Sequence, residues 1–287
     1  MGVAGEPTIQ EAITAAYDQL PPGEKRLADT VLARLNHLAS YSATELAAAA
    51  GVSKATAARF FRRMGYQSFG HARRNARAEA HLASPLYALA GVNPKEPVSD
   101  ALSRHVAADL KNLSETFRQP QVATALAQAV KLVAAAPRVR VLGMRNGQFI
   151  AAHATYLLAQ LRPDCASLPG AGMTLAEDLV SLGRGDVLLV ADFRRRSSLL
   201  PAYVEAARAA GAKLVFLASP GMPPLARKGD VVLACQTDGA SIFDSYVAAV
   251  SLVNHLCAAV ATALGKASRK RLAVIESLHD TLGDIRH

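Results

Sequence analysis

Apolar residues recur at helical spacing through the first third of the chain. Ile9, Ile13, Ala16, Tyr17 and Leu20 predict one helix, and Leu27, Val31, Leu32 and Leu35 predict a second from about Glu24 to His37. Pro21-Pro22-Gly23 separates them, because proline cannot continue a helix and disfavours one just upstream. The stretch from Thr44 to Gly65, TELAAAAGVSKATAARFFRRMG, then predicts two short helices around a tight turn. Ser42 or Thr44 is placed to cap the first, Leu46 and Ala47 lie on it, and Gly51 can take the positive φ that such a turn demands. Val52, Ala57, Phe60 and Met64 give the second helix its apolar stripe, and Ser53 is its natural N-cap. Beyond a turn at Gly65, Tyr66 and Phe69 read as anchors for a last basic helix reaching about His81. These helices wrap one small core, so residues 1–83 are expected to form a compact all-α domain.

The period breaks from 84 to 98, where Pro85, Gly91, Pro94 and Pro97 mark a linker. Helical stretches at Asp100 to Thr116 and Gln121 to Ala136 then lead into a different pattern. Short apolar runs at Val139 to Leu142, Val187 to Ala191, Leu214 to Ala218 and Val231 to Cys235 read as buried parallel strands separated by helices. A weaker run at Cys165 to Leu168 supplies the second of five strands. Helices at Ile242 to Leu264 and Arg271 to Leu282 close the chain. Residues 99–287 are thus expected to form an α/β domain, a five-stranded parallel sheet flanked by helices, with ligands at the carboxyl ends of the strands.

Composition adds a sign to the expected partner. The 287 residues are 51% hydrophobic, enough for a substantial core, and carry a net charge of +9. Between Ser53 and Arg77 stand Lys54, Arg59, Arg62, Arg63, Arg73, Arg74 and Arg77 with no carboxylate among them, a footprint suited to a phosphate backbone. Cys165, Cys235 and Cys257 are odd in number and widely spaced, so neither a disulfide framework nor a metal site is expected, and no cofactor is implied. The opening MGVAGEPTIQEA has neither a basic start nor an apolar block, which reads as a cytoplasmic chain without an export signal. From Ser245 to Gly265 no residue carries a formal charge. Ser251, Asn254, His255 and Thr262 interrupt that segment, and the preceding α/β pattern favours a buried or interface helix over a membrane span.

With the apolar stripe turned inward, Ser53, Lys54, Ala58, Arg59 and Arg62 are left on the outer face of the second motif helix. In a helix-turn-helix reader the start of that helix enters the major groove. Ser53, Lys54, Thr56, Arg59 and Arg62 are therefore candidates for groove and backbone contacts, with Arg63, Arg73 and Arg74 as further phosphate contacts. An ordinary helical hairpin with a solvated basic face would show the same spacing.

The PPGEKRLADTVL lead-in, the motif helices and the RRMGYQSF continuation resemble the N-terminal domain of the RpiR/MurR family of bacterial transcriptional regulators. The second half resembles the sugar isomerase (SIS) domain that the same family carries. The resemblance implies a phosphosugar site made of a Gly-rich turn with a Ser after the first strand and a Ser-rich loop after the third, since hydroxyls and amides at a helix start suit a phosphate. The matching positions are only partly filled. Gly143 is kept, Arg145 stands where a second Gly is usual, and Gly147, after Asn146, stands where the Ser is expected. In ADFRRRSS the serines become Asp192 and Arg194, the Gly becomes Arg195, and Ser197 alone keeps a hydroxyl. Asp186 and the PPLARKGD run ending at Asp230 follow the SIS pattern.

Three readings of the rewritten loop stand open. Arg145, Arg194, Arg195 and Arg196 could hold an anion by bidentate contacts; Asp192 could pair with one of these arginines as a structural ion pair; or the arginines could be solvated surface. Asp244 and Ser245 read as a cap and first-turn acid of the closing helix or as ligand contacts. Asn254 and His255 read as core or dimer-interface groups, and Glu177 and Asp178 as helix-surface acids. The expected function is a homodimer, or a dimer of dimers, that grips double-stranded operator DNA and senses a small-molecule effector, such as a sugar phosphate or another anion. The alternatives are a phosphosugar isomerase with an accessory helical domain and a non-specific DNA binder.

Overall fold

The computed structural model describes residues 9–33, 38, 41–73, 85–90, 92–194, 196–220 and 225–285. The chain forms two compact units, Met1–Pro94 and Lys95–His287. In the first, α1 (Ile9–Ala16) runs into a 3₁₀ turn at Tyr17–Gln19, and α2 spans Pro22–Ala33. This helix starts two residues before the expected Glu24. Proline is well suited to a first helical position, where its missing N–H has no partner to lose. The expected continuation of α2 to His37 lies outside the described residues.

Ser42, not Thr44, caps α3 (Ala43–Ala49): its Oγ accepts the Glu45 amide at 3.2 Å, and the Glu45 carboxylate accepts the Ser42 amide at 2.7 Å. Gly51 follows with φ +61°, and α4 spans Lys54–Arg63. Leu27, Val31, Leu46, Ala47, Ala57, Phe60 and Met64 are buried in one cluster. Phe61 joins them, edge-on to Phe60 at 5.2 Å and 5.0 Å from Phe69. Residues 69–73 are helical; the rest of the expected basic helix to His81, including Arg74 and Arg77, lies outside the described residues. The expected linker contains α5 (Pro85–Ala90), so Pro85 opens a short helix there rather than breaking one.

The second unit begins with α6 (Val98–Phe117) and α7 (Pro120–Ala135). Then come β1 (Val139–Gly143), α8 (Asn146–Leu161), β2 (Cys165–Leu168), α9 (Leu175–Leu179), β3 (Val187–Asp192), α10 (Leu200–Ala209), β4 (Lys213–Ala218) and β5 (Val231–Ala234). The five strands are parallel in the order β2-β1-β3-β4-β5, with Val139 opposite Val187 and Leu189 opposite Val215. One face of the sheet buries Val141, Leu189 and Val215 against Val133, Ile150, Leu158, Leu252 and Leu256; the other buries Leu142, Leu188 and Phe216 against Leu200 and Val204. The strand order reverses between β1 and β3, which opens a crevice at their carboxyl ends.

Two closing helices follow, with boundaries unlike those expected. The first, α11, spans Val247–Leu264 and α12 spans Lys266–Leu282, divided by Gly265 at φ +56°. Residues 242–246 are therefore loop, not helix. Among the described residues α11 is the one helix long and apolar enough to cross a membrane. Here it packs against α6, α7, α8 and α12, burying Ala249, Leu252, Val253, Leu256 and Val260.

Candidate functional site

The first candidate site is α4. Ser53 caps it, its Oγ accepting the Thr56 amide at 3.1 Å and lying 3.0 Å from Thr56 Oγ1. With Ala57, Phe60 and Phe61 buried beneath, Lys54, Ala58, Arg59 and Arg62 are exposed. Among the described residues Arg59 reaches only Thr56 Oγ1, at 3.4 Å, and Arg62 only the Ala58 carbonyl, at 3.3 Å. Their guanidinium groups are thus held along the helix with donors to spare. Arg63 differs. It forms a 2.9 Å ion pair with Glu24, whose side chain is 5% exposed, and so ties the end of α4 to α2. Arg73 is half-buried, and Arg74 lies outside the described residues.

The second candidate site lies at the carboxyl ends of β1 and β3. A Cβ on Gly143 would stand 2.1 Å from the Gly147 carbonyl oxygen, and one on Gly147 would stand 2.8 Å from that of Ala191. The start of α8 is therefore pressed onto both strands, and each glycine is needed for that approach. A serine at 147 would require the backbone to move. Arg145 precedes α8 with φ 56° and ψ −126°, a conformation that favours glycine. Arg145→Gly should therefore raise stability by about 1 kcal/mol, strain relief of roughly 1–3 offset by the entropy of a glycine. An unchanged or lower melting temperature would count against strain at this position.

Asp192, at the end of β3, has a fully buried side chain paired through Oδ1 with Arg196 Nε. Its Oδ2 has no hydrogen-bond partner among the described residues. Burial pushes the Asp192 carboxyl above the usual range, and the Arg196 charge opposes that shift. Next along the loop, Phe193 is buried edge-on to Tyr246 at 5.0 Å, and Arg194 pairs with Asp244. Arg195 lies outside the described residues. Ser197 Oγ accepts the Leu199 amide at 3.3 Å. Across the crevice Arg145 and Asn146 are exposed, and Asn146 donates to Tyr246 Oη at 3.4 Å.

These positions correct three expectations, for Asp244, Ser245 and Asp178. Asp244 is not a helix cap but the partner of Arg194, and Ser245 donates to Asp109 Oδ1 at 2.6 Å. Asp178 is no surface acid: it is buried, accepting from Tyr203 Oη at 2.7 Å and the Gly170 amide at 3.0 Å, and burial with this contact pushes the Tyr203 hydroxyl up to about 12. Asn254 and His255 lie on the exposed face of α11, which removes the core half of their reading and leaves the dimer-interface half open, and Asn254 Oδ1 bonds His153 Nε2 at 2.7 Å. Asp192 is a buried ion-pair partner, so the second of the three readings fits it. Asp186 and Asp230 are likewise structural, Asp186 accepting the Arg138 and Gly183 amides at 3.0 and 2.8 Å and Asp230 held by Arg208 at 2.9 Å. The role of α6 at this end was invisible in sequence, since Asp109 and Ser245 are 136 residues apart.

The fold thus defines a class, a helix-turn-helix unit with an exposed cationic face followed by a parallel α/β unit with Arg145 and Arg194 near its strand ends. Residues 8–78 match the helix-turn-helix domain of the rpiR family and residues 132–259 match the SIS domain. The chain thus carries an rpiR-type helix-turn-helix domain followed by a SIS domain. Its second unit is similar to the sugar isomerase domain of an RpiR transcription factor from Sphaerobacter thermophilus, at 25% identity and a TM-score of 0.56, over 61% of this chain and 97% of that one. The NanR protein of Vibrio vulnificus, solved with ManNAc-6P, shares the fold at 14% identity and a TM-score of 0.55, over 96% of this chain and 99% of that one. The bifunctional protein glk of Paraburkholderia xenovorans is 26% identical over 266 residues, 91% of this chain but 40% of that relative. The chain thus spans about two fifths of the length of that curated relative.

Proposed function

We propose that this chain is a transcriptional regulator that reads operator DNA through α4 and is modulated by a small phosphorylated sugar bound at the β1 and β3 ends of its SIS domain. The carrying observation is the exposed row of Lys54, Arg59 and Arg62 on a capped helix, in the same chain as a SIS domain. Ser53 and Thr56 at the start of α4 offer a phosphate the helix dipole and hydroxyls. The effector class is carried over from the ManNAc-6P bound by the Vibrio relative. At the crevice, Arg145 and Arg194 supply charge, and Asn146 and Ser197 supply polar groups. Two copies acting as a cytoplasmic dimer would set two α4 helices on half-sites about 34 Å apart.

The isomerase reading is less well supported. Asp192 and Asp244, the carboxylates at these strand ends, are each held by an arginine, which suits charge balance better than proton transfer. The expected result, read by fluorescence anisotropy, is tight binding to DNA from the chain's own upstream region and weak binding to scrambled DNA. Affinity should fall steeply with salt, with a log–log slope of about −0.9 per phosphate neutralised. Equal affinity for both DNAs would leave a non-specific binder, and turnover of aldose or ketose phosphates by the full chain would establish the enzyme instead.

A further inference from the structure

The two ion pairs at the strand ends differ in how easily they can be broken. Asp192–Arg196 is sealed in, with side chains 0% and 18% exposed. Asp244–Arg194 is open to water, at 23% and 43%, and a pair in that setting is weak and readily exchanged. An anion that binds the Arg194 Nη2 edge competes with Asp244 for it.

Asp244 belongs to a loop that is braced from within. The Ser245 amide bonds the Thr237 carbonyl at 3.1 Å across its base. Inside it, a Cβ on Gly239 would lie 1.6 Å from the Phe243 carbonyl oxygen, so the two sides of the loop are in tight contact. The same loop is fastened to α6 at four points. Thr116 Oγ1 accepts the Gln236 amide at 2.9 Å, Asn112 Nδ2 donates to the Asp238 carbonyl at 2.8 Å, and Arg104 Nε donates to the Ala240 carbonyl at 3.3 Å. Ser245 to Asp109 is the fourth. Thr116 and Asn112 are buried, so these bonds are shielded from water. In the chain, α6 is the first long helix after the segment that follows the helix-turn-helix unit.

We propose that Arg194–Asp244 is the switch contact of the sensor site: an anionic ligand takes Arg194 from Asp244, and the freed 236–246 loop carries the change to α6 through these four bonds. The inference rests on the regulator reading for its effect on DNA, and on the geometry alone for the coupling of loop to helix. Breaking the pair biases the unit between two arrangements, and a ligand shifts them only through its preference for the one in which Arg194 is free.

The test uses the full chain and needs no known effector. Hydrogen exchange is compared in wild type, Asp244→Asn and Arg194→Gln, which break the pair from either side, and in Asp109→Ala, which cuts one fastening. Both pair-breaking variants should exchange faster in peptides covering 236–246 and 109–116, with β1 and β3 unchanged. Their DNA affinity should shift about fivefold or more, the lower end of ordinary allosteric coupling. In Asp109→Ala the response of α6 to inorganic phosphate or glucose 6-phosphate should be weaker than that of the loop. Wild-type exchange in α6 for both pair-breaking variants overturns the proposal, and so does faster exchange in α6 with unaltered DNA affinity when wild type binds DNA. If wild type shows no salt-dependent DNA binding, the regulator reading fails, and the exchange result still decides the coupling.

Discussion

Replacing Arg59 and Arg62 together by alanine should weaken DNA binding by about 2 kcal/mol or more, roughly thirtyfold, while leaving the melting temperature near that of wild type. The affinity loss follows from exposed guanidinium groups with spare donors. Each phosphate left without its guanidinium should also flatten the log–log salt slope by about 0.9. The intact fold follows from how little these side chains hold: one weak bond to Thr56 and one to the Ala58 carbonyl. Alanine is at least as good a helix former as arginine. Arg63→Ala is the informative contrast, because it strips the charge partner from Glu24, a nearly buried carboxylate, and should lower stability. Unchanged affinity and salt slope in the double variant would remove α4 as the DNA-reading element.

The parts of the structure that were legible in sequence are those set by neighbours in the chain. The run VLLVA at 187–191 is apolar on both faces, as a central parallel strand must be, and all five strands stand where such runs occur. Ser53 precedes α4 by one residue, and its bond to Thr56 is local. By contrast, Ile242 to Tyr246 is apolar enough to pass for the first turn of α11. What keeps it a loop is the packing of Gly239 on Phe243 and the bonds to α6, formed by residues more than a hundred positions away. Asp178 looked like a surface acid because its partner, Tyr203, lies on another helix.

The candidate site was half legible for the same reason. That arginines replace hydroxyls after β3 is plain from ADFRRRSS, yet which carboxylate each arginine meets is a matter of tertiary structure. That Asp192 could pair with one of the neighbouring arginines was open in the sequence, but that Arg196 is the one, and that Arg194 meets Asp244 fifty residues away, was not. Gly147 is the subtler case. Its departure from the expected Ser reads in sequence as a missing ligand hydroxyl, whereas its packing on Ala191 shows a steric reason for the glycine.

Arg196→Ala should be strongly destabilising, costing about 3 kcal/mol at pH 7, because it leaves Asp192 as a buried carboxylate with no cation. The pH dependence has a definite sign. Burial already raises the Asp192 carboxyl above its ordinary 3.8, and removing Arg196 takes away the charge that holds it down. An acid whose folded-state value is raised is favoured by folding in its protonated form. Its stabilising contribution is complete below the unfolded value and is lost as pH rises through the folded one. The gap between variant and wild type should therefore be small near pH 4 and widen toward neutrality, as read from denaturant midpoints across that range. Adding Asp192→Asn to Arg196→Ala should recover most of the loss at pH 7, since no charge is then left buried. A gap independent of pH, or a double variant no more stable than the single, would mean that Arg196 supports the loop by packing and that the Asp192 charge is carried by some other group.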